Sequence, residues 1–235
     1  MSTSTFLWPP RPAASLPIRG RSERLPIERI FCVGRNYHAH AVEMGRPVDK
    51  TVDQPFYFTK SPQALTESGA TIPYPPGTSN YHHEMELVVV LGKSGFRVDV
   101  DRAADLIYGY AAGLDMTRRD LQLAARDKGR PWDLGKDVEH GAVCSEVVPM
   151  PGRLLTSGAI ELAVNGQIRQ RSDLSLLIWS VAEIVSDLSR FYHLLPGDLI
   201  YTGTPEGVGP VQPGDRLEGR IEGVAEVTLT IGPAE

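Results

Sequence analysis

The stretch His82-His83-Glu84-Met85-Glu86-Leu87 runs straight into Val88-Val89-Val90-Leu91-Gly92, and it constrains the chain more than any other. An apolar run of this length closed by a glycine reads as a buried strand. Side chains two apart on a strand share a face, so Glu84 and Glu86 project side by side from the strand's entry. Two carboxylates brought together repel, and desolvating either is costly. A cation between them relieves both problems, and hard oxygen donors favour Mg²⁺, Mn²⁺ or Ca²⁺. Taken locally, the same residues also fit a solvated strand end with two surface glutamates.

The rest of the pattern is strands and turns. Glycine (23) and proline (19) exceed their usual combined share, which favours short strands over a helical bundle. Ile30–Val33, closed by Gly34, reads as a strand, and Pro55–Phe58 begins another. Leu106–Met116 reads as a long strand whose Gly109, Ala111, Ala112 and Gly113 admit another backbone closely. Ile72–Gly77 reads as a loop because its prolines and glycine punctuate it. Asn165-Gly166 predicts a hairpin between residues 160–164 and 167–170. Two helices carry start signals. Thr117 with Asp120 predicts one running to about Lys128, and Ser180 with Glu183 predicts another bearing Val181, Ile184, Val185, Leu188 and Phe191 on its apolar face. From Asp198 to Ile231 short strands alternate with turns. Residues 1–27, rich in Pro, Ser and Arg, read as an arm, and residues 28–235 as one domain. The fold class is mostly β with a few helices, α+β.

Composition excludes several function classes. A net charge of −5 and a pI near 5.7 give no nucleic-acid surface. No apolar run approaches the ~18 residues of a membrane span, and residues 1–20 lack the pattern of a signal peptide. Cys32 and Cys144 form no CxxC pair, so a reducing cytoplasm is the expected setting. Rossmann, P-loop, zincin and nucleophile-elbow spacings are all absent.

Four further segments carry chemistry. If residues after Gly34 coil into a helix, His40 and Glu43 share a face at i, i+3. A carboxylate beside an imidazole suits a general base, and it equally suits an ordinary surface ion pair. His38 should face another way. Asp115 ends the apolar run 106–114, so it either joins the two glutamates around a cation or serves as the N-terminal charge of the following helix. Lys136 could stabilise a developing oxyanion near a metal or be a solvated lysine. Tyr201–Gly209 is a Gly-rich turn whose amides and hydroxyls could bind a carboxylate.

The motifs in order are Gly34-Arg35-Asn36-Tyr37, His83-Glu84-x-Glu86-Leu87, Leu114-Asp115-Met116-Thr117-x-Arg119-Asp120, Gly129-Arg130-Pro131-Trp132 with Lys136, Pro196-Gly197-Asp198, and Thr202-Gly203-Thr204-Pro205-x-Gly207-Val208-Gly209. Together, over roughly residues 28–231, they resemble the fumarylacetoacetate hydrolase family, most of all its short acylpyruvate hydrolases and the bacterial fumarylpyruvate hydrolases of gentisate breakdown. The resemblance implies a mixed β-sandwich roll, a homodimer, and one Mg²⁺ or Mn²⁺ per subunit, with Ca²⁺ as a substitute. It implies Glu84, Glu86 and Asp115 as metal ligands, His40 and Glu43 as the water-activating dyad, and Lys136 near the substrate oxygens. Arg119, Gln122, Lys60 and Thr204 would line the site, although Pro62-Gln63 after Lys60 departs from the expected order. The implied substrate is a small 2-oxo acid. Hydrolysis of an acylpyruvate is the expected reaction. Decarboxylation or isomerisation of a related 2-oxo acid is the alternative on the same scaffold, and a non-catalytic module with a structural cation would need neither the dyad nor Lys136. A distal carboxylate could be held by Arg46, Arg118, Arg119 or Arg130.

Overall fold

The computed structural model describes residues 5–235, so residues 1–4 of the expected arm lie outside the described residues. The strand Met85–Leu91, buried at every position, sits in the middle of a mixed eight-stranded sheet. The main path runs Phe56–Lys60, Ile30–Gly34, Leu199–Tyr201, Met85–Leu91, Ile107–Asp115, Ala142–Cys144, Leu65–Glu67. Both faces of this central strand are covered, which explains its near-continuous run of aliphatic residues. Met85, Leu87, Val89 and Leu91 pack toward a second, five-stranded sheet built on the hairpin Ala159–Val164 and Gln167–Asp173 and on the long strands Arg216–Ile221 and Glu226–Ala234. Val88 and Val90 face the opposite way, into a smaller cluster with Ile30, Cys32, Ala111, Cys144 and Tyr201. Two sheets face to face over one core make a sandwich.

The N-terminal segment is not a detached arm throughout. Ser15–Pro17 pairs antiparallel with Arg24–Pro26, and Leu16 and Ile27 are buried in the smaller cluster. Alternation explains this: Leu16 and Ile18, two apart on a short extended stretch, fall on one face, and both are buried.

The Asn165-Gly166 turn and the 181–188 helix form as expected. Ser180 and Glu183 make the full reciprocal cap. Phe191, however, lies beyond that helix and is 66% exposed, because the helix ends at Leu188. Two other expectations need correction. Thr71–Tyr74 is a strand, not a loop; it pairs in parallel with the edge of Glu226–Ala234, where Pro73 can sit without breaking a ladder. Thr117 does not cap the next helix. It lies in a two-residue strand beside Tyr81–His83, and the helix runs Arg119–Asp127 without a side-chain cap. Asp120 instead receives hydrogen bonds from Thr78 and Ser79. Lys136, read from sequence in a loop-like stretch, closes a one-turn helix, Asp133–Lys136. Cys32 and Cys144 are free and buried.

Candidate active site

Strand register brings the three acidic residues together. Met85 pairs with Leu114 and Glu86 with Gly113, and the Asp115 amide donates to the Glu84 carbonyl at 2.8 Å. Directly opposed residues of an antiparallel pair share a face, so Asp115 stands across from Glu84, with Glu86 one pleat further along. The position across from Glu86 is a glycine, and its missing side chain leaves room for the Tyr201 ring. All three carboxylates are buried, and each offers an oxygen within 4.8 Å of the others.

The cluster is electrostatically incomplete on its own. Burial and the charges of Asp115 and Glu84 push the Glu86 carboxyl well above the usual range. Glu84 is different. Burial opposes its charge, but Lys136 and Arg119 outweigh that and hold it well below the usual range. Asp115 Oδ1 has no hydrogen-bond donor. Lys60 Nζ forms an ion pair with it at 2.9 Å while donating hydrogen bonds to the carbonyls of Met116 and Lys136. Three buried carboxylates that converge as an all-oxygen donor set, one of their oxygens without a hydrogen-bond donor, fit a hard divalent cation.

Around this floor, Lys136 Nζ donates to Glu84 Oε2 and Asp115 Oδ2, each at 2.6 Å, and to Thr117 Oγ1 at 2.9 Å. Burial works against its charge, but Asp115 and Glu84 keep its pKa above the ordinary lysine value. Arg119 donates to Glu84 Oε1 and Gln122 Oε1. Its Nε reaches His82 Nδ1 at 3.4 Å.

The other half of the site comes from the short helix His38–Glu43. His40 Nδ1 is 3.0 Å from Glu43 Oε2, and the Gly207 amide donates to Glu43 Oε1 at 3.1 Å. Burial opposes the Glu43 charge, but the His40 and Gly207 hydrogen bonds and the nearby Arg119 lower its pKa. An ionised carboxylate only accepts, so Nδ1 carries a proton, and in the neutral ring Nε2 is left with the lone pair. His40 is buried and lines the cavity, whereas His38 is exposed.

One cavity of about 270 Å³ joins these groups. It is lined by Glu84, Glu86, Asp115, Lys136, Arg119, Gln122, His40 and Thr204. Glu43 stands behind His40, and Lys60 stands behind Asp115. Of the four candidate arginines, Arg46 and Arg119 line the cavity; Arg118 and Arg130 do not.

Two buried amides that sequence reasoning passed over hold the frame. Gln170 accepts from the Met85 amide at 3.0 Å and donates to Thr204 Oγ1 and the Pro205 carbonyl, tying the glutamate strand to the Gly-rich turn. It occupies a buried position in an otherwise largely exposed strand, and an exposed-edge pattern gives no hint of that. Asn36 donates to the carbonyls of Trp179 and Thr202 and accepts from the Trp179 amide. At Gly203, with φ +101°, a Cβ would strike Asn36.

Comparison with known proteins gives a consistent picture. The family model for the fumarylacetoacetate (FAA) hydrolase C-terminal region matches residues 29–232. A fumarylpyruvate hydrolase from a Ralstonia species is 70% identical over 192 residues, 82% of this chain and all of that protein. Human mitochondrial oxaloacetate tautomerase FAHD1 is 39% identical, with 88% of this chain and 93% of that protein aligned. The crystal structure of Pseudomonas aeruginosa fumarylpyruvate hydrolase with Mn²⁺ and pyruvate is 46% identical and superposes with a TM-score of 0.93, covering 97% of this chain and all of that one.

Proposed function

The chain belongs to the fumarylacetoacetate hydrolase family, and from that premise we propose that it is a divalent-metal-dependent hydrolase that cleaves the C–C bond of an acylpyruvate, fumarylpyruvate above all, into fumarate and pyruvate. The observation that carries this is one cavity holding three convergent buried carboxylates and a histidine oriented by a carboxylate. The high identity to a fumarylpyruvate hydrolase supports the choice of substrate.

Glu84, Glu86 and Asp115 would hold Mg²⁺ or Mn²⁺, with Ca²⁺ as a substitute, and such a cation supplies chelation of the 2-oxo acid and Lewis acidity toward its oxygens. The chain's own residues do the rest. His40 Nε2 takes a proton from water, and Glu43 steadies the imidazolium that results. Hydroxide adds to the distal carbonyl of the substrate. The C–C bond then breaks, and its electron pair leaves with pyruvate as the enolate. Lys136, with Arg119 and Gln122 beside it, stabilises that charge as it forms. His40 returns its proton to the enolate carbon, which balances the addition of one water. Thr204 and the turn around it border the substrate. Lys60, behind Asp115, supports that carboxylate rather than touching substrate.

A second reading is supported by the oxaloacetate tautomerase relative. Chemistry on oxaloacetate would use the same acidic triad but would require no activated water. Rates on fumarylpyruvate, acetylpyruvate and oxaloacetate, each with Mg²⁺ and with Mn²⁺, separate the two. Hydrolysis of the acylpyruvates well ahead of any reaction of oxaloacetate supports the first reading, and the reverse order replaces it with the second. We also propose a homodimer, which light scattering of the purified protein tests.

A further inference from the structure

The cationic groups of the cavity divide into two sets. On the floor, Arg119 and Lys136 are committed to Glu84, Asp115 and Gln122. Arg35 and Arg46 also line the cavity, but among the described residues neither side chain has an ion-pair or hydrogen-bond partner. Arg46 is exposed and Arg35 half-buried, whereas the triad is buried, so these two arginines form the rim. Arg126, also lining, is partly engaged by Asp127 at 2.9 Å. The lining thus carries Arg35, Arg46, Arg119, Arg126 and Lys136 against Glu84, Glu86 and Asp115. That surplus of positive charge, in a chain of net charge −5, suits an anion beyond what the floor neutralises.

Arg35 is held there at a cost. Its φ of 57° is left-handed, which is unfavourable for a residue with a Cβ. The neighbours over-determine it. Asn36 is locked by its three buried hydrogen bonds, and a side chain at Gly34 would collide with the Phe56 ring. The Arg35 guanidinium lies 6.0 Å from the centre of that ring. Phe56 and Phe58 each pack against Trp132, and the three supply flat apolar walls to the same cavity.

We propose that Arg35 and Arg46 bind the distal carboxylate of the substrate and so set a preference for dicarboxylic over neutral acylpyruvates, with the aromatic wall accepting the planar unsaturated segment in between. This rests on the acylpyruvate hydrolase reading. Guanidinium groups suit a carboxylate through paired N–H donors.

The test compares fumarylpyruvate with acetylpyruvate, which lacks the distal carboxylate, using Mn²⁺-loaded wild type, Arg46→Met, Arg46→Lys and Arg35→Gly. Glycine keeps the left-handed backbone while removing the side chain. On fumarylpyruvate, Arg46→Met and Arg35→Gly should each lower kcat/KM by about 10–100-fold, mostly through KM, as expected for one charge-assisted contact. On acetylpyruvate the change should stay within about threefold, and Arg46→Lys should recover part of the loss. Equal losses on both substrates, or none on either, would overturn the assignment. Thermal shifts with added fumarate and added pyruvate give an independent readout on the same proteins. The two variants should lose the shift with fumarate and keep that with pyruvate; a retained fumarate shift would also overturn it. If the wild type cleaves no acylpyruvate, the hydrolase reading fails, and the fumarate shift still decides the role of the arginines.

Discussion

The floor and the rim of the cavity are built on opposite principles. The floor places Glu84, Glu86 and Asp115 on two paired central strands, with Lys60, Lys136 and Arg119 pressed against them. Every group there is buried and most are held by several partners. The rim carries Arg35 and Arg46 on the segments flanking a six-residue helix, with no hydrogen-bond or ion-pair partner among the described residues. Buried charged groups cannot be removed singly without leaving the others uncompensated, whereas exposed groups can be exchanged at small structural cost. On the proposed reading, chemistry common to many substrates therefore belongs on the floor, and discrimination among them belongs at the rim.

The floor should break first and hardest. Glu84→Gln removes one charge from the triad at nearly constant shape. Losing an outer partner of a metal ligand already costs ~10–100-fold in metal affinity, so losing the ligand itself should cost at least that in a Mn²⁺ titration. Activity should fall on every substrate. Unchanged Mn²⁺ affinity would remove Glu84 from the site.

Next in size is the dyad, which lies between floor and rim. His40→Ala should slow acylpyruvate hydrolysis by about 10²–10⁴-fold, the usual contribution of a positioned general base, while Mn²⁺ binding persists. Decarboxylation of oxaloacetate should be much less affected, and equal losses would mean that His40 does not serve water activation. Glu43→Gln should cost less, because the imidazole stays. It also has a pH signature. The folded-state pKa of Glu43 lies below its ordinary 4.5, so its stabilising contribution is present above that value and is lost as pH falls through the lowered one. Thermal melts of Glu43→Gln should show a shallower loss of stability below pH 4.5 than the wild type; parallel curves would contradict the shift.

Smaller effects lie away from the cavity. Deleting residues 1–20 removes Leu16 and Ile18, both buried, so the melting temperature should drop. Turnover per folded subunit should hold, because no cavity residue comes from that segment. A large loss of turnover in a folded protein would tie the N-terminal segment to catalysis. Ser180→Ala, at the far helix cap, should cost about 1 kcal/mol of stability and leave both substrates unaffected.

The contrast also explains what could be read from the sequence. The central strand and its two glutamates were legible because burial on both faces and two-residue alternation leave a strong pattern. The Ser180–Glu183 cap was legible because its partners are three residues apart. Thr117 misled because a local cap signal lost to a tertiary pairing with His82. Pro73 misled because an edge strand tolerates proline. Gln170 and Asn36 were invisible as frame residues because their partners are distant in sequence. The choice among Arg46, Arg118, Arg119 and Arg130 needed the cavity itself, and Arg35 joined it through a backbone conformation that sequence does not announce.

Water attack on a substrate held over the acidic triad is the central claim, and the most direct measurement is turnover of fumarylpyruvate in ¹⁸O-labelled water by the Mn²⁺-loaded enzyme, followed by mass analysis of the fumarate. One ¹⁸O should enter each fumarate carboxyl group formed by the cleavage, and a chelator that strips the metal should abolish product formation. Fumarate formed without the label, or formed at an undiminished rate after the metal is stripped, would contradict it.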